Sequence, residues 1–218
     1  MKVDYKDLAK RAVDMIENSE PHPRVWQENG ETTRSKYWKD DKGSVILQAG
    51  EGRYDLWRNF QEGFFSSQSV VANSKLEELM KNLMVCDYKN YSGVIMSKPG
   101  SKNQYFHRDT DNLSISTNGK ALMAVDDFYF TTLIPIEKDI DLENGPTEFL
   151  KGSHRKTTDK FNELEICQAT CKIGDALLFN GKMNHRGTGN DSKADRPVIY
   201  IVHHKEWYDD NYRKGVEY

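Results

Sequence analysis

Four residues of this 218-residue chain have the types and spacing of a metal site with an anion clamp beside it. His107 and Asp109 stand two positions apart in QYFHRDTD, His185 follows in GKMNHRGTG, and Arg196 follows in ADRPVIYIV. Two imidazoles and one carboxylate suit a divalent iron, which they bind on one face while the opposite positions stay open. An arginine can hold a carboxylate with paired hydrogen bonds. The set therefore predicts iron chemistry that uses an acidic co-substrate.

The His-x-Asp spacing makes structural sense if NQYFHRD is a strand. Side chains then alternate, so that Tyr105, His107 and Asp109 share one face and the last two reach the same ion. Tyr105 either contacts the co-substrate or the substrate, or packs in the core. Taken alone, an HxD pair is more typical of a surface histidine beside a carboxylate.

Arg196 opens RPVIYIVHH, a run of strand-forming residues. Buried arginines are rare unless they are paired, so on an inward strand face this residue would need an anion. The alternative is a solvated strand end, where Asp195 is its neighbour.

The elements that must position these residues are mainly β. From Tyr91 onward, short β-type runs are separated by turn signals. The runs are YSGVIMS, NQYFHRD, ALMAV, FYFTTLIPI, TEFL, ICQATCKI, ALLFN and RPVIYIVHH. Strands without intervening helices favour a sandwich or jelly roll over a sheet built from βαβ units.

Two helices are predicted before this region. The first is indicated by apolar residues at helical spacing, namely Tyr5, Leu8, Ala9, Ala12, Met15 and Ile16. The second begins at Ser74 as N-cap with Glu77 three residues later, a capping-box pattern. Its apolar stripe is predicted to be Leu76, Leu79, Met80, Leu83 and Met84. The glycine-rich segment 49–63 is predicted to be a loop.

Composition excludes several classes of protein. The net charge of −3, from 34 acids and 31 bases, argues against a nucleic-acid partner. No apolar run approaches the roughly 18–20 residues that span a bilayer, so no membrane partner is expected. The charged start MKVDYKDLAK does not resemble a signal peptide. Cys86, Cys167 and Cys171 form no CxxC pair, which favours reduced thiols in a cytoplasmic protein over a zinc site.

Three motifs in this order resemble the phytanoyl-CoA dioxygenase family of Fe(II)/2-oxoglutarate-dependent oxygenases. They are PG…QYFHRD, then NGPTEFLKGSHR, then GDALLFNGKMNHRGTGN…RP, and they cover roughly residues 91–204. The NGP turn followed by GSH is the most family-specific of them. The resemblance implies one domain over 1–218. Its core is a double-stranded β-helix (a cupin-like jelly roll) at 91–204, supported by a helical and loop region at 1–90 and followed by a tail at 205–218.

The resemblance also implies roles for single residues. His107, Asp109 and His185 correspond to the iron ligands, and Arg196 corresponds to the arginine that binds the distal carboxylate of 2-oxoglutarate. Some relatives place a further contact to that carboxylate, a serine, two residues after the second histidine. This chain has Gly187 there and Thr188 next, so Thr188 is the candidate for that contact.

The activity implied is hydroxylation of an unactivated carbon in a small molecule. The co-substrates are 2-oxoglutarate and O2, the products include succinate and CO2, and ascorbate is an optional stimulant. Two alternatives stay open: the same cofactors acting on a protein or nucleic acid, and a non-catalytic cupin-like binding module. The 78-residue separation of His107 and His185 and the use of arginine as clamp argue against the first. The HxD pair argues against the second, since cupins generally carry HxH.

Overall fold

The computed structural model describes residues 5–28, 31–58, 73–110, 114–117, 120–124, 126–155 and 164–209. The helices in these ranges are α1 (Tyr5–Asn18), α2 (Ser74–Met84) and a 3-10 helix (Ser153–Arg155). The strands are β1 (His22–Glu28), β2 (Glu31–Lys39), β3 (Ser44–Gly50), β4 (Arg53–Arg58), β5 (Tyr88–Ser97), β6 (Ser114–Thr117), β7 (Lys120–Ala124), β8 (Tyr129–Pro135), β9 (Thr147–Leu150), β10 (Ile166–Ala169), β11 (Leu177–Asn180), β12 (His185–Gly187) and β13 (Arg196–Lys205). No helix in the described ranges is long and apolar enough to cross a membrane.

The described strands are all antiparallel and form two main sheets. The large sheet has eight strands in the order β1-β2-β3-β4-β5-β13-β8-β11, and the small sheet has the order β10-β9-β12. Strands β6 and β7 pair as a separate hairpin. The predicted fold class, mainly β with flanking helices, is therefore confirmed.

The two faces of the large sheet have different partners. Its outer face packs against α1, where Tyr5 and Ala12 of the helix meet Ile46, Leu56 and other apolar side chains of the strands in one buried cluster. Because side chains alternate along each strand, the neighbouring positions of β4 and β13 point to the inner face. Those positions include polar residues such as Arg53 and Arg196, which are buried. The helix therefore covers the outer face, and the inner face, which carries buried polar residues among apolar ones, is left for a site.

Helix α2 begins one residue earlier than its predicted cap implies. The N-cap is Asn73, whose side-chain oxygen accepts hydrogen bonds from the backbone N–H groups of Lys75 and Leu76. The prediction of Ser74 as N-cap was therefore wrong, because asparagine satisfies the same free N–H groups. Of the predicted stripe, Met80 and Met84 are buried, whereas the side chains of Leu79 and Leu83 are exposed.

The prediction that residues 1–90 are helical or loop was wrong for 22–58. Strands β1 to β4 lie there, and β4 pairs with β3 on one side and β5 on the other. The predicted loop 49–63 thus contains β4, a central strand, while its residues 59–63 lie outside the described ranges. The glycines at 50 and 52 indicated a loop, but Gly50 is the last residue of β3 and Gly52 lies in the short turn to β4, with φ angles of 146° and 68°.

His203 makes the stability of the sheet depend on pH. Its fully buried ring lies on the outer face of β13, beside Tyr88, with Nε2 3.2 Å from the Thr132 hydroxyl. Burial, and secondarily His204, lowers the pKa of His203 from 6.5 to about 4. The unfolded chain therefore binds the extra proton first, and stability is lost as the pH falls from 6.5 towards 4.

We expect this histidine to remove about 3 kcal/mol of unfolding free energy by pH 4, since one pKa unit corresponds to about 1.36 kcal/mol. Urea unfolding at several pH values measures the loss. The H203Q variant has no group that titrates at this position, so its unfolding free energy should fall less steeply with acid. An identical pH dependence in both proteins would contradict the assignment.

Candidate active site

The structure brings His107, Asp109 and His185 together. One ligand atom from each side chain lies within 4.8 Å of the other two, and His185 Nε2 is 3.5 Å from Asp109 Oδ1. The two imidazole rings are 4.6 Å apart between centroids. In the described part of the chain this is the one such group of histidine, cysteine or acidic residues. Asp111, a less favoured ligand by sequence, lies outside the described residues.

The segment that carries the HxD pair is not a strand, so that prediction was wrong. Residues 101–106 have no regular structure, and a single β-bridge joins His107 to His185 of β12. In that bridge each backbone N–H donates to the other residue's carbonyl, at 2.9 and 2.8 Å, and Asp109 N donates to Gly181 O at 2.9 Å. The bridge therefore places the ligands by direct backbone pairing.

The same irregular backbone removes Tyr105 from the predicted shared face. Its side chain is 94% exposed and is not packed beside His107. Its carbonyl oxygen is the part that contributes, because it lies 2.9 Å from His107 Nδ1. A role of Tyr105 in binding the co-substrate is thus not supported by its position, whereas its backbone orients a ligand.

Both imidazoles are oriented in the same way. His107 Nδ1 faces Tyr105 O, and His185 Nδ1 lies 3.0 Å from Met183 O. A carbonyl only accepts, so each Nδ1 carries the proton and each Nε2 keeps a free lone pair. Burial lowers the pKa of His185, which keeps that ring neutral, as a metal ligand must be.

Asp109 is oriented by a threonine on the large sheet. The Thr131 hydroxyl, buried on β8, donates a 2.6 Å hydrogen bond to Asp109 Oδ2. The other oxygen, Oδ1, is the one that faces His185. Thr131 therefore holds the carboxylate with one oxygen turned towards the two histidines, and nothing in the sequence around Thr131 indicated this role.

We expect Thr131→Val, which preserves shape, to weaken metal binding about tenfold, because hydrogen-bond partners of metal ligands typically contribute 10–100-fold to affinity. Titration of the metal-free protein with Co(II) measures this. Thr132→Val is the matched control: Thr132 is the next residue of the same strand, is also buried, and contacts His203 on the opposite face. Equal metal affinities in the two variants would contradict a role for Thr131.

Arg196 lies buried at the start of β13, so the alternative of a solvated strand end was wrong. Its guanidinium donates to the Ser97 hydroxyl at 2.9 Å and to the carbonyl of Gly145. Its Nε has no hydrogen-bond partner, and no carboxylate of the described residues pairs with it. Asp195, the neighbour in sequence, pairs with Lys98 at 3.0 Å instead.

This arginine stays charged at neutral pH and therefore needs an anion. Burial, and secondarily Arg53, lowers the pKa of Arg196 to about 9, which is still well above 7. A buried cation surrounded by neutral acceptors is costly unless a negative group joins it. The arrangement therefore fits a ligand that carries a carboxylate.

Thr188 lies close to the same end of the site. Its hydroxyl donates to Pro146 O at 2.7 Å, within the NGP turn, and its own carbonyl accepts from Arg53. The hydroxyl hydrogen is thus used inside the protein, and contact with the co-substrate stays a prediction. At Gly187, where some relatives have serine, an added Cβ would collide with the Arg53 guanidinium. This chain therefore has an arginine in the space that a side chain at 187 would need.

Three contributors were missed from the sequence: Arg53, Ser97 and Thr131. None is near a ligand in sequence, and Arg53 fell in the predicted loop. The one usable signal was the alternation in RYDLW, in which Arg53, Asp55 and Trp57 share a face. It indicates a strand, but it does not indicate that this strand faces the metal ligands.

Two histidines and one carboxylate on a mainly β scaffold define a class, the non-haem iron oxygenases. The family model for phytanoyl-CoA dioxygenase (PhyH) matches residues 15–198. The chain therefore belongs to the phytanoyl-CoA dioxygenase family, one of Fe(II)/2-oxoglutarate-dependent oxygenases, and the resemblance seen in its motifs is confirmed.

Individual relatives agree with this assignment. The Fe(II)/2-oxoglutarate-dependent dioxygenase nvfF of Aspergillus novofumigatus is 33% identical over 127 residues, which are 56% of this chain and 41% of that protein. The chain spans about half the length of the curated relatives it matches, from 41% to 53% for three of them.

Solved structures show the jelly-roll fold. HygX from Streptomyces hygroscopicus, crystallised with nickel and 2-oxoglutarate, has a TM-score of 0.59 at 12% identity, over 76% of this chain and 75% of that one. The 2-oxoglutarate-dependent epimerase SnoN from nogalamycin biosynthesis has a TM-score of 0.56 at 14% identity, over 99% and 84%. At these identities the likeness concerns the fold, and it confirms the predicted jelly roll.

The residues present fit the iron that the family uses. Each imidazole turns Nδ1 to a backbone carbonyl, which leaves Nε2 for a metal, and one ligand atom of each of the three residues lies within 4.8 Å of the other two. In each of the three side chains, the nitrogen or oxygen that does not face the other two makes a hydrogen bond to the protein, which is typical of metal ligands. The buried Arg196, which pairs with no carboxylate of the described residues, fits the acidic co-substrate.

Proposed function

We propose that this protein is an Fe(II)/2-oxoglutarate-dependent dioxygenase that hydroxylates an unactivated carbon of a small molecule and releases succinate and CO2. The observation that carries the proposal is one pairing: a preoriented His107–Asp109–His185 cluster and a buried Arg196 without an anionic partner in the described residues. A metal site alone would fit many functions. A metal site with a carboxylate clamp fits an oxygenase that consumes an acidic co-substrate.

In this proposal each residue has a distinct task. His107, Asp109 and His185 would hold the iron, which would supply the chemistry of O2 activation when bound. Arg196 and Ser97 bind the distal carboxylate of 2-oxoglutarate and fix its orientation. Thr131 and the carbonyls of residues 105 and 183 keep the three ligands in place, so that the site is organised before the metal binds.

A small-molecule substrate is supported by the relatives and by charge. HygX has also been crystallised with hygromycin B, and a curated relative is a fungal dioxygenase. The net charge of −3 offers no general attraction for nucleic acid. A cytoplasmic location is part of the proposal and is supported by three free cysteines, two of them exposed.

The test is coupled turnover. Purified protein is supplied with Fe(II), 2-oxoglutarate, O2 and ascorbate, and a panel of small metabolites is screened for stimulation of succinate release. We expect succinate release to stop when a chelator removes the metal and to resume when Fe(II) is restored. Absence of succinate release with saturating iron and 2-oxoglutarate across the panel would favour the non-catalytic binding module.

The product then identifies the reaction type. With ¹⁸O2, a hydroxylase places one labelled oxygen in the product and the other in succinate. An epimerase, the activity named for SnoN, would return an isomer of the substrate without labelled oxygen. Label in the substrate-derived product is the expected result, and its absence would assign the chain to the second activity.

A further inference from the structure

Arg53 is a buried charged residue that the proposed function does not use. Its side chain is 2% exposed on the inner face of β4. Ser97 of β5 pairs with Arg53 on one side and with Arg196 on the other, so the three residues form a row across adjacent strands. Arg53 therefore lies in the same layer of the sheet as the carboxylate clamp.

The contacts of Arg53 join the two segments that carry the metal ligands. One nitrogen, Nη1, donates to Gln104 Oε1 at 3.0 Å, and Nη2 donates to Thr188 O at 2.7 Å. Gln104 lies three residues before His107, and Thr188 lies three residues after His185. The guanidinium thus bridges the irregular segment 101–109 and the end of β12.

Gln104 extends the same bridge. Its Oε1 also accepts from Gly187 N at 3.0 Å, and its own backbone N–H donates to Gly187 O at 3.0 Å. A single side-chain oxygen is therefore shared between Arg53 and the backbone beside His185. Segment 101–106 belongs to no strand of the described sheets, so its position depends on such individual contacts.

Simple packing does not account for a charged group at this place. The described neighbours that accept from Arg53 are neutral, namely a side-chain amide and backbone carbonyls. Burial lowers the pKa of Arg53 to about 10, so the group still carries its charge at neutral pH. An apolar side chain would cost less to bury, but it could not hold two acceptors in a planar fork.

We propose that Arg53 is a positioning residue of the metal site, which locks the segment bearing His107 and Asp109 onto the strand bearing His185 through Gln104 and Thr188. The identity of the metal as iron rests on the proposed function, but the locking itself does not. The effect is expected even on a probe metal and without co-substrate.

The experiment compares R53M with the wild-type protein in two measurements. Titration of the metal-free proteins with Co(II), without 2-oxoglutarate, should show affinity weakened about tenfold, as for other residues that hold metal ligands. Hydrogen exchange of the metal-free proteins should show faster exchange at the backbone N–H groups of Gln104 and His107. R24M is the control, because Arg24 is also buried (6% exposed) but lies three strands away on β1.

Two further variants separate geometry from charge. R53K keeps the charge but replaces the planar two-nitrogen fork with a single ammonium nitrogen, so the bridge should be weaker and the Co(II) affinity should remain weakened. Q104A removes the shared oxygen and should weaken Co(II) binding by a similar factor. Gln104 is only partly buried, so this variant also tests the proposal if R53M does not fold. In the double variant R53M/Q104A, the loss of Co(II) affinity should be smaller than the product of the two single losses, because both substitutions break the same bridge.

Several results would overturn the inference. Unchanged Co(II) affinity and exchange in R53M, with only a lower melting temperature, would make Arg53 a packing residue. Weaker 2-oxoglutarate binding with unchanged Co(II) affinity would make it a direct ligand of the co-substrate. A Co(II) affinity of R53K equal to that of the wild-type protein would show that the site needs the positive charge at this position rather than the two-nitrogen bridge. If the wild-type protein binds no Co(II), the proposed function fails, while hydrogen exchange still decides the role of Arg53.

Discussion

His185→Ala is expected to abolish 2-oxoglutarate turnover while the jelly roll stays folded. The backbone bridge between residues 107 and 185 does not depend on either side chain, so the alanine variant keeps those two hydrogen bonds. The metal loses one of three protein ligands. Because partners of metal ligands alone contribute about 10–100-fold to affinity, loss of a ligand should weaken metal binding by at least about a hundredfold.

The measurements are Co(II) affinity, succinate release and the melting temperature. His107→Ala should behave in the same way with less loss of stability, because His107 is only partly buried, whereas His185 packs against Phe149 and Phe179. His22→Ala is the control, since His22 is exposed and stacks on Tyr37, away from the cluster. Normal turnover in either ligand variant would refute the metal assignment.

Arg196→Met is expected to raise the 2-oxoglutarate concentration needed for half-maximal turnover by about 10- to 100-fold. Hydrogen bonds to charged groups contribute about 1.5–3 kcal/mol, and each 1.4 kcal/mol is a factor of ten in affinity. Co(II) affinity without co-substrate should stay close to that of the wild-type protein, because Arg196 contacts Ser97 and Gly145 rather than a metal ligand.

The stability of the Arg196→Met variant distinguishes an arginine that binds the co-substrate from one that stabilises the fold. The metal-free variant should be at least as stable as the wild-type protein, because methionine replaces a buried cation that no described carboxylate neutralises. Arg186→Met is the control: Arg186 lies next to His185 but pairs with Glu148 at 2.7 Å. It should leave 2-oxoglutarate affinity unchanged and lower the stability. An unchanged 2-oxoglutarate requirement in the Arg196 variant would remove that residue from the site.

The candidate ligands could be identified from the sequence, and the structure brings the three of them together, because their identification depends on residue type and on local motifs. His107, Asp109, His185 and Arg196 were all recognised in this way, and so was the family. The same holds for α1 and for the β texture after residue 90, which follow from periodicity and turn residues over short stretches of chain. These are properties that neighbouring residues determine among themselves.

The conformation of the ligand segment could not be predicted in the same way. NQYFHRD has the composition of a strand, yet residues 101–106 are irregular, and single contacts with distant segments hold them instead of a continuous ladder with a neighbouring strand. Tyr105 is consequently exposed and supports the site through its carbonyl. Strand β4 was missed for a related reason. The glycines before it indicate a loop, whereas the strand is stabilised by its pairing with β3 and β5.

The sequence by itself identified the candidate site residues, namely two imidazoles and a carboxylate that suit iron, and an arginine that suits an acidic co-substrate. The tertiary structure alone decided what holds them. Thr131 reaches Asp109 across 22 positions, and Arg53 reaches Thr188 across 135. The physical reason is that each contact joins residues far apart in the chain, which meet only when the strands and the irregular segments have packed together, and no pattern of neighbouring residues contains that arrangement.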